Sequence, residues 1–312
     1  MTVICLGEAL IDLVPPPSLS PRTADFLTVQ PGGAPLNIAI GLARLGTDSL
    51  LLGCLSSDGF GQRLADLLTA EGVPRVPTTP VEQSTRLAVV DHLNPASPFR
   101  FYGDATADTM LSADDVEAAF DAISVEGLYV GSLMMTDPRS RTVQEFALDE
   151  AARRSIPVFS DPNPRPAAWP VRADMGAATE LLLSRSAIAK LSLDDALALG
   201  WPDRSEALLR WCRRRFPAQM FVTGGPAGCW TLLDGAVVHA SAPLLDTIDP
   251  TGAGDASFAA LIARYLATGT LGETELRYAA AAGALATQKR GAISGLPTMT
   301  GLQASIDALD QK

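Results

Sequence analysis

Short apolar runs of strand length recur along the chain at 2–6, 50–55, 127–131, 157–160, 186–190 and 220–223, each bounded by glycine, proline or polar residues. Between them, apolar residues fall at three- and four-residue steps. That spacing predicts helices over 38–45, stopped at Gly46, over 62–70, from about 111, over 140–154, around 179–183 and after Ser192. Two more follow, from Asp255 to about 266 with Gly269 as the stop, and over 273–287. Strands alternating with helices predict an α/β domain with a mostly parallel sheet. Two stretches interrupt the alternation. Residues 85–91 and 99–103 read as strands joined by a turn at 93–98, and 229–233 with 236–239 read as a hairpin about Asp234-Gly235. Residues 13–30, with prolines at 15–17, read as irregular or edge structure. No internal repeat, linker or low-complexity segment is visible.

Two helix starts carry chemistry. Asp249-Pro250-Thr251-Gly252-Ala253-Gly254-Asp255 delivers a glycine turn into a helix. A helix N-terminus offers unpaired N–H groups and a positive dipole end, and the glycines let an anion approach the backbone closely. Asp255 would repel that anion unless it has another task. Taking a proton from an attacking hydroxyl is such a task. Complementing the helix dipole is the simpler alternative. The second start, Pro31-Gly32-Gly33-Ala34-Pro35-Leu36-Asn37, places an amide side chain in a first turn, with a donor and an acceptor to offer a hydroxyl.

Other polar groups cluster at predicted strand ends, where open α/β sheets bind ligands. Asp12 follows the first strand after Gly7-Glu8. Asp161, Asn163 and Arg165 follow the 157–160 strand in a proline-stiffened run that ends Trp169-Pro170. Ser192 and Asp195 have capping-box spacing, which a purely structural role explains. Thr223-Gly224-Gly225-Pro226-Ala227-Gly228 is a glycine-rich turn, but a hairpin follows it, so it is not a dinucleotide βαβ fingerprint.

Composition narrows the field. Apolar residues make up 47% and charged residues 19%, which supports a sizeable core. The net charge of −11, with no basic run, argues against nucleic acid or an anionic membrane as partner. No apolar span of ~20 residues occurs. The three lysines, Lys190, Lys289 and Lys312, fit no P-loop. Four scattered cysteines without a C-x-x-C read as reduced core thiols, and so as a cytoplasmic protein.

The 249–255 string resembles the C-terminal signature of the PfkB, or ribokinase-like, carbohydrate kinases, D-T-T-G-A-G-D, with Pro250 in place of the family's threonine. Residues 31–46 resemble the family's N-terminal signature, 223–228 its T-x-G-x-x-G nucleotide turn, 190–195 its N-x-x-E region and 291–297 its closing G-A-x-x-x-x-P. The D-P-N-x-R-x-x-x-W-P run at 161–170 is similar to the fructokinase branch and, less closely, to ketodeoxygluconate kinases.

The resemblance implies one three-layer α/β/α ribokinase-like domain over 1–312, with a small β lid drawn from about 13–31 and 84–104. It implies Asp255 as catalytic base and the Gly252, Ala253 and Gly254 amides as an anion hole. Asp12, Gly32, Gly33, Asn37, Asn163 and Arg165 would meet the sugar. Lys190, Ser192, Thr223, Gly225, Gly228 and Gly254 would meet ATP. Asp249, Thr251 and Gly291 would hold a monovalent cation such as K⁺, and Asp195 would act on the Mg²⁺ network. The implied reaction is ATP-dependent phosphorylation of a primary hydroxyl, with D-fructose giving fructose 6-phosphate. Ketodeoxygluconate, ribose and a nucleoside are the alternatives within the family; outside it they are a non-catalytic sugar binder and a nicotinamide oxidoreductase, the latter disfavoured by the hairpin after Gly228. Phe101-Tyr102-Gly103 lacks the arginine that relatives carry there, which weighs against a sugar acid. The 273–287 helix lacks the asparagine that relatives set against adenine. Exposed lid edges suggest a homodimer.

Overall fold

The computed structural model describes residues 2–94 and 99–310. Residues 95–98 of the expected 93–98 turn lie outside the described residues. The chain opens with β1 (Thr2–Leu6), β2 (Leu10–Val14), β3 (Thr28–Gly32), α1 (Ala34–Arg44), β4 (Asp48–Leu52), α2 (Gly59–Ala70) and β5 (Arg75–Val76). Strands β6 (Leu87–Val90) and β7 (Phe99–Tyr102) follow. The middle of the chain is α3 (Ala113–Ala122), β8 (Val125–Gly131), α4 (Pro138–Arg153), β9 (Val158–Asp161), α5 (Arg172–Arg185), β10 (Ile188–Ser192), α6 (Leu193–Leu199) and α7 (Ser205–Arg213). It ends with β11 (Gln219–Thr223), β12 (Cys229–Leu233), β13 (Ala236–Ala240), α8 (Ala253–Thr268), α9 (Glu273–Ala286) and α10 (Met299–Asp310).

Nine strands form the main sheet in the order β13-β12-β11-β10-β9-β8-β1-β4-β5, parallel except where β12 and β13 turn back at one edge. The other four form a small separate sheet, β3-β2-β6-β7. The 13–30 region is therefore more regular than its prolines suggest. Strand β2 starts at Leu10, and β3 pairs with it antiparallel through Leu10↔Gly32 and Val14↔Thr28. Strand β3 is an edge strand, so Pro31, which has no N–H to give, interrupts no second ladder.

Side chains alternate across the main sheet and so build two layers. On one face Tyr129, Phe159, Ile188 and Phe221 pack against Phe258, Leu261 and Ile262 of α8 and the apolar side of α1. On the other, Leu128, Val130 and Val158 pack against α3, α4 and α5. A third cluster holds α7 against β10 and β11. The four cysteines are buried and free, and burial raises the thiol pKa of each. Among the described residues no helix is long and apolar enough to cross a membrane.

One ion pair ties the layers to the 291–296 loop. Arg44, in the last turn of α1, donates to both carboxylate oxygens of Glu71 at 2.8 and 2.6 Å, and its third nitrogen donates to the carbonyls of Ile293 and Leu296. Arg44→Ala strands a half-buried carboxylate and two carbonyls. It is expected to cost about 1–3 kcal/mol, read as a lower midpoint in urea unfolding.

Candidate active site

A cavity of about 480 Å³ lies at the C-terminal ends of β1, β8, β9 and β10, roofed by the small sheet. Leu10, Asp12, Ala88, Val90, Phe99 and Phe101 line its roof side. From the main domain come Gly33, Asn37, Asn163, Arg165, Lys190, Thr251, Gly252, Gly254 and Asp255. With Asp161, eleven of the residues singled out from the sequence thus meet in one space, although they are spread over some 240 positions.

Gly33 supplies the turn into α1. Its φ is 108°, and a Cβ there would stand 2.5 Å from the Glu8 carbonyl. Only glycine fits such a site without displacing its neighbour. One turn later Asn37 donates from Nδ2 to Asp255 Oδ2 at 2.7 Å, joining the two helix starts across 218 residues. Asn37 Oδ1 is buried and has no partner, so it stands ready to accept from a hydroxyl. Asp255 itself is buried, and that burial raises its pKa above the usual carboxylate value. Asn37, Lys190 and Arg165 pull it back only in part. Burial likewise pushes Asp12 up to about 7, against the pull of Arg165. The Arg165 guanidinium lies over the Phe99 ring at 5.1 Å, which ties the β9 loop to the lid.

The 249–255 turn is shaped by Gly252, which caps α8 in the left-handed region at φ 81°. Ala253 donates its N–H to Pro250 O at 3.2 Å, and the N–H groups of Gly252 and Gly254 have no acceptor among the described residues. Ala253 faces a second cavity, of about 240 Å³, that meets the first at Pro250 and Gly254. This one is largely apolar. Thr223, Gly225, Gly228 and Cys229 form one wall, Ala280, Gly283 and Ala284 of α9 another, and the 242–247 loop closes it. Its volume is of the order a nucleobase needs, and the 250–254 turn lies where the two cavities meet.

Five of the singled-out residues, Gly32, Ser192, Asp195, Asp249 and Gly291, sit behind the cavities. Asp249 accepts the N–H groups of Thr251 and Gly291, both at 2.9 Å. Although burial works to raise its pKa, those donors and the Thr251 hydroxyl hold it below the usual value, so it stays charged. Ser192 and Asp195 form the expected capping box on α6, with Asp195 Oδ2 accepting the Ser192 N–H at 2.9 Å. Gly32 packs directly on the Asp12 carboxyl, leaving no room there for a side chain.

Sequence reasoning overlooked three contributors. Glu8 lines the cavity, and burial pushes it up to about 7. His92 reaches the cavity from the lid. The 242–247 loop closes the base slot with Pro243, Leu244 and Leu245, a stretch with no motif to mark it.

A family model described as pfkB family carbohydrate kinase matches residues 2–299. The chain is 32% identical over 309 residues to the fructokinase of Klebsiella pneumoniae, covering 96% of this chain and 98% of that one. It superposes on a double mutant of the fructokinase of Vibrio cholerae O395, solved with fructose, ADP and potassium ion, with a TM-score of 0.83 at 27% identity and 97% coverage of each chain. The fructokinase of Xylella fastidiosa, solved with bound ATP, gives a TM-score of 0.82 at 26% identity and 99% coverage of each chain.

Proposed function

The chain belongs to the pfkB family of carbohydrate kinases and is an ATP-dependent sugar kinase, and from that premise we propose that it converts D-fructose to fructose 6-phosphate with Asp255 as the base. The observation that carries this reading is the Asn37–Asp255 contact in the polar cavity, next in sequence to Gly254, which lines both cavities. A hydroxyl held by Asn37 lies beside a carboxylate able to take its proton, and the anion turn lies beside both.

On this reading Asp255 accepts the proton as the hydroxyl oxygen attacks phosphorus. The amides of Gly252 and Gly254 meet the charge on the transferred group. Asp12, Asn163 and Arg165 orient the sugar, and the lid excludes water. Mg²⁺ arriving with the nucleotide would supply charge neutralisation, with Asp195 toward its water shell. Among the described residues no cluster of three or more His, Cys, Asp or Glu is set to cage a metal, which suits an ion carried in by phosphates with only Asp195 at its outer edge. The charged Asp249, between Thr251 and the Gly291 loop, suits a monovalent cation such as K⁺ behind the turn.

Fructose is favoured over an acidic sugar by the charges in the cavity. Among the described residues that line the cavity, Glu8, Asp12, Asp161, Asp194 and Asp255 outnumber the basic side chains Arg165, Lys190 and His92, and Lys190 is already paired with Asp161. A sugar carboxylate would enter a site richer in like charge. Gly103, at φ 111°, supplies no cation either. Coupled ADP release over fructose, ketodeoxygluconate, ribose, glucose and adenosine should give fructose the highest kcat/KM. Ketodeoxygluconate should fall at least ~10-fold below it, about 1.4 kcal/mol of discrimination. A higher value on any other sugar discards the fructose assignment and keeps the kinase.

A further inference from the structure

The ends of three neighbouring parallel strands carry a line of polar side chains beneath the catalytic turn. Strand β8 gives Tyr129, β9 gives Asp161 and β10 gives Lys190. The register sets them on one face. Tyr129 pairs with Phe159 and Gly131 with Asp161, so Tyr129 and Asp161 are diagonal neighbours. Ile188 pairs with Phe159, which places Lys190 beside Asp161. Diagonal neighbours on a sheet face are within reach of an aromatic side chain.

Lys190 Nζ donates to Asp161 Oδ2 at 2.6 Å, and the pair is buried, at 5% and 0% side-chain exposure. An ammonium has three donors, and this contact uses one. The same nitrogen lies 3.3 Å from where a Cβ on Gly254 would stand, against the backbone of the anion turn. Two donors are therefore left beside the place where phosphate is held. Burial works to lower the Lys190 pKa, but Asp161 on β9, Asp195 on α6 and Asp255 on α8 together raise it, so the ammonium keeps its charge.

Asp161 is oddly placed for an ordinary salt bridge. It is fully buried, its second oxygen has no partner, and the Tyr129 hydroxyl, also fully buried, has none either. Two unpartnered polar atoms on adjacent strands of one face, one of them charged, mark a polar gap of the kind that buried water fills.

We infer that Asp161 is a positioning residue for phosphoryl transfer. It aims the Lys190 ammonium at the Gly254 turn, and it is itself steadied by the Tyr129 hydroxyl through a buried water. The inference rests on the kinase reading and is independent of which sugar is used. It connects the two halves of the reaction, because Asp161 opens the loop that carries Asn163 and Arg165 to the sugar. A buried, unpaired carboxylate or ammonium is costly, so each partner stays in place only while the other is there.

The test uses the full chain and four variants, assayed with saturating wild-type substrate and by calorimetry with ADP alone. Lys190→Met should lower kcat about 100-fold, as loss of one charged donor to a transition state does, with the sugar KM within threefold. Asp161→Asn should lower kcat at least 10-fold by leaving the ammonium without its guide. The Asp161→Asn/Lys190→Met double variant, which buries no unpaired charge, should be no worse than Lys190→Met alone. ADP affinity should follow the same non-additive pattern. Tyr129→Phe should lower kcat ~3- to 10-fold with the sugar KM unchanged. The inference is overturned if Asp161→Asn keeps kcat within threefold of wild type, or if the two single effects multiply in the double variant. A Tyr129→Phe enzyme with wild-type kcat removes the tyrosine and its water from the scheme. Because ADP binding is read without any sugar, failure of the fructose assignment leaves the test intact.

Discussion

Asp255→Asn is expected to lower kcat by about 10²–10⁴-fold, the range over which a positioned general base acts, while the variant melts at or above the wild-type temperature. The two outcomes share one cause. Burial raises the Asp255 pKa in the folded protein, so the fold binds that proton more tightly than the unfolded chain does. Stability then falls as pH rises from the unfolded pKa through the folded one, because the ionised carboxylate is the form that burial disfavours. At neutral pH an amide removes that penalty. It can still accept from Asn37 Nδ2 through its own oxygen, so the 2.7 Å contact between the helix starts survives. Steady-state kinetics and a melting curve on one preparation check both halves. The same shift makes a second point. With the base pKa raised, the acid limb of the wild-type kcat/KM profile should lie above the ordinary carboxylate range, since a protonated Asp255 takes no proton. Comparable turnover by Asp255→Asn would end the base assignment.

How far the sequence carried depended on whether a feature was local. The turn at Gly33 was legible because a left-handed or crowded backbone position needs glycine, and that need is written in the residue itself. The capping box at Ser192 and Asp195 and the Asp234-Gly235 hairpin were local in the same way. Helix α7 was missed because Arg204 stands at its N-cap and offers no capping oxygen to announce it. Strand β3 falls in the stretch read as irregular or edge structure, but its bounds were not legible, because Pro31 normally argues against a strand and is harmless only at an edge, a fact of topology. The site divides on the same line. Each helix start could be read from its glycines, but nothing in either string says that Asn37 and Asp255 touch. Nor does any spacing bring Tyr129, Asp161 and Lys190 into line, because strand register is set by packing of the whole sheet. Polar side chains at strand ends announce a pocket, whereas their pairing has to be seen.

Gly252→Val is expected to lower kcat about 10²–10³-fold, the loss that follows when oxyanion-type donors are displaced, with the sugar KM within threefold. Two features of the position act together. Its φ of 81° is one that a β-branched residue rarely adopts, and a Cβ there would lie 2.7 Å from the Ala292 Cα and 2.9 Å from the Ala292 carbonyl oxygen. Backbone faces backbone, so no side-chain rotation relieves the contact. Either the 249–252 turn or the 291–296 loop must move. Arg44 pins the latter through the Ile293 and Leu296 carbonyls, so the turn is the part that gives way, and its N–H groups leave the phosphate. The residues proposed to orient the sugar lie on β2, α1 and the β9 loop, outside the 249–252 turn. The other end of the same helix supplies the control. Gly269 caps α8 at φ 70°, also left-handed, but nothing stands within 4 Å of its would-be Cβ. Gly269→Val therefore carries the conformational strain without the collision. It should cost on the order of 1 kcal/mol of stability and leave kcat per folded molecule at the wild-type value. If both variants lose turnover in proportion to their loss of folded protein, the Gly252 turn acts as a helix cap and not as an anion site.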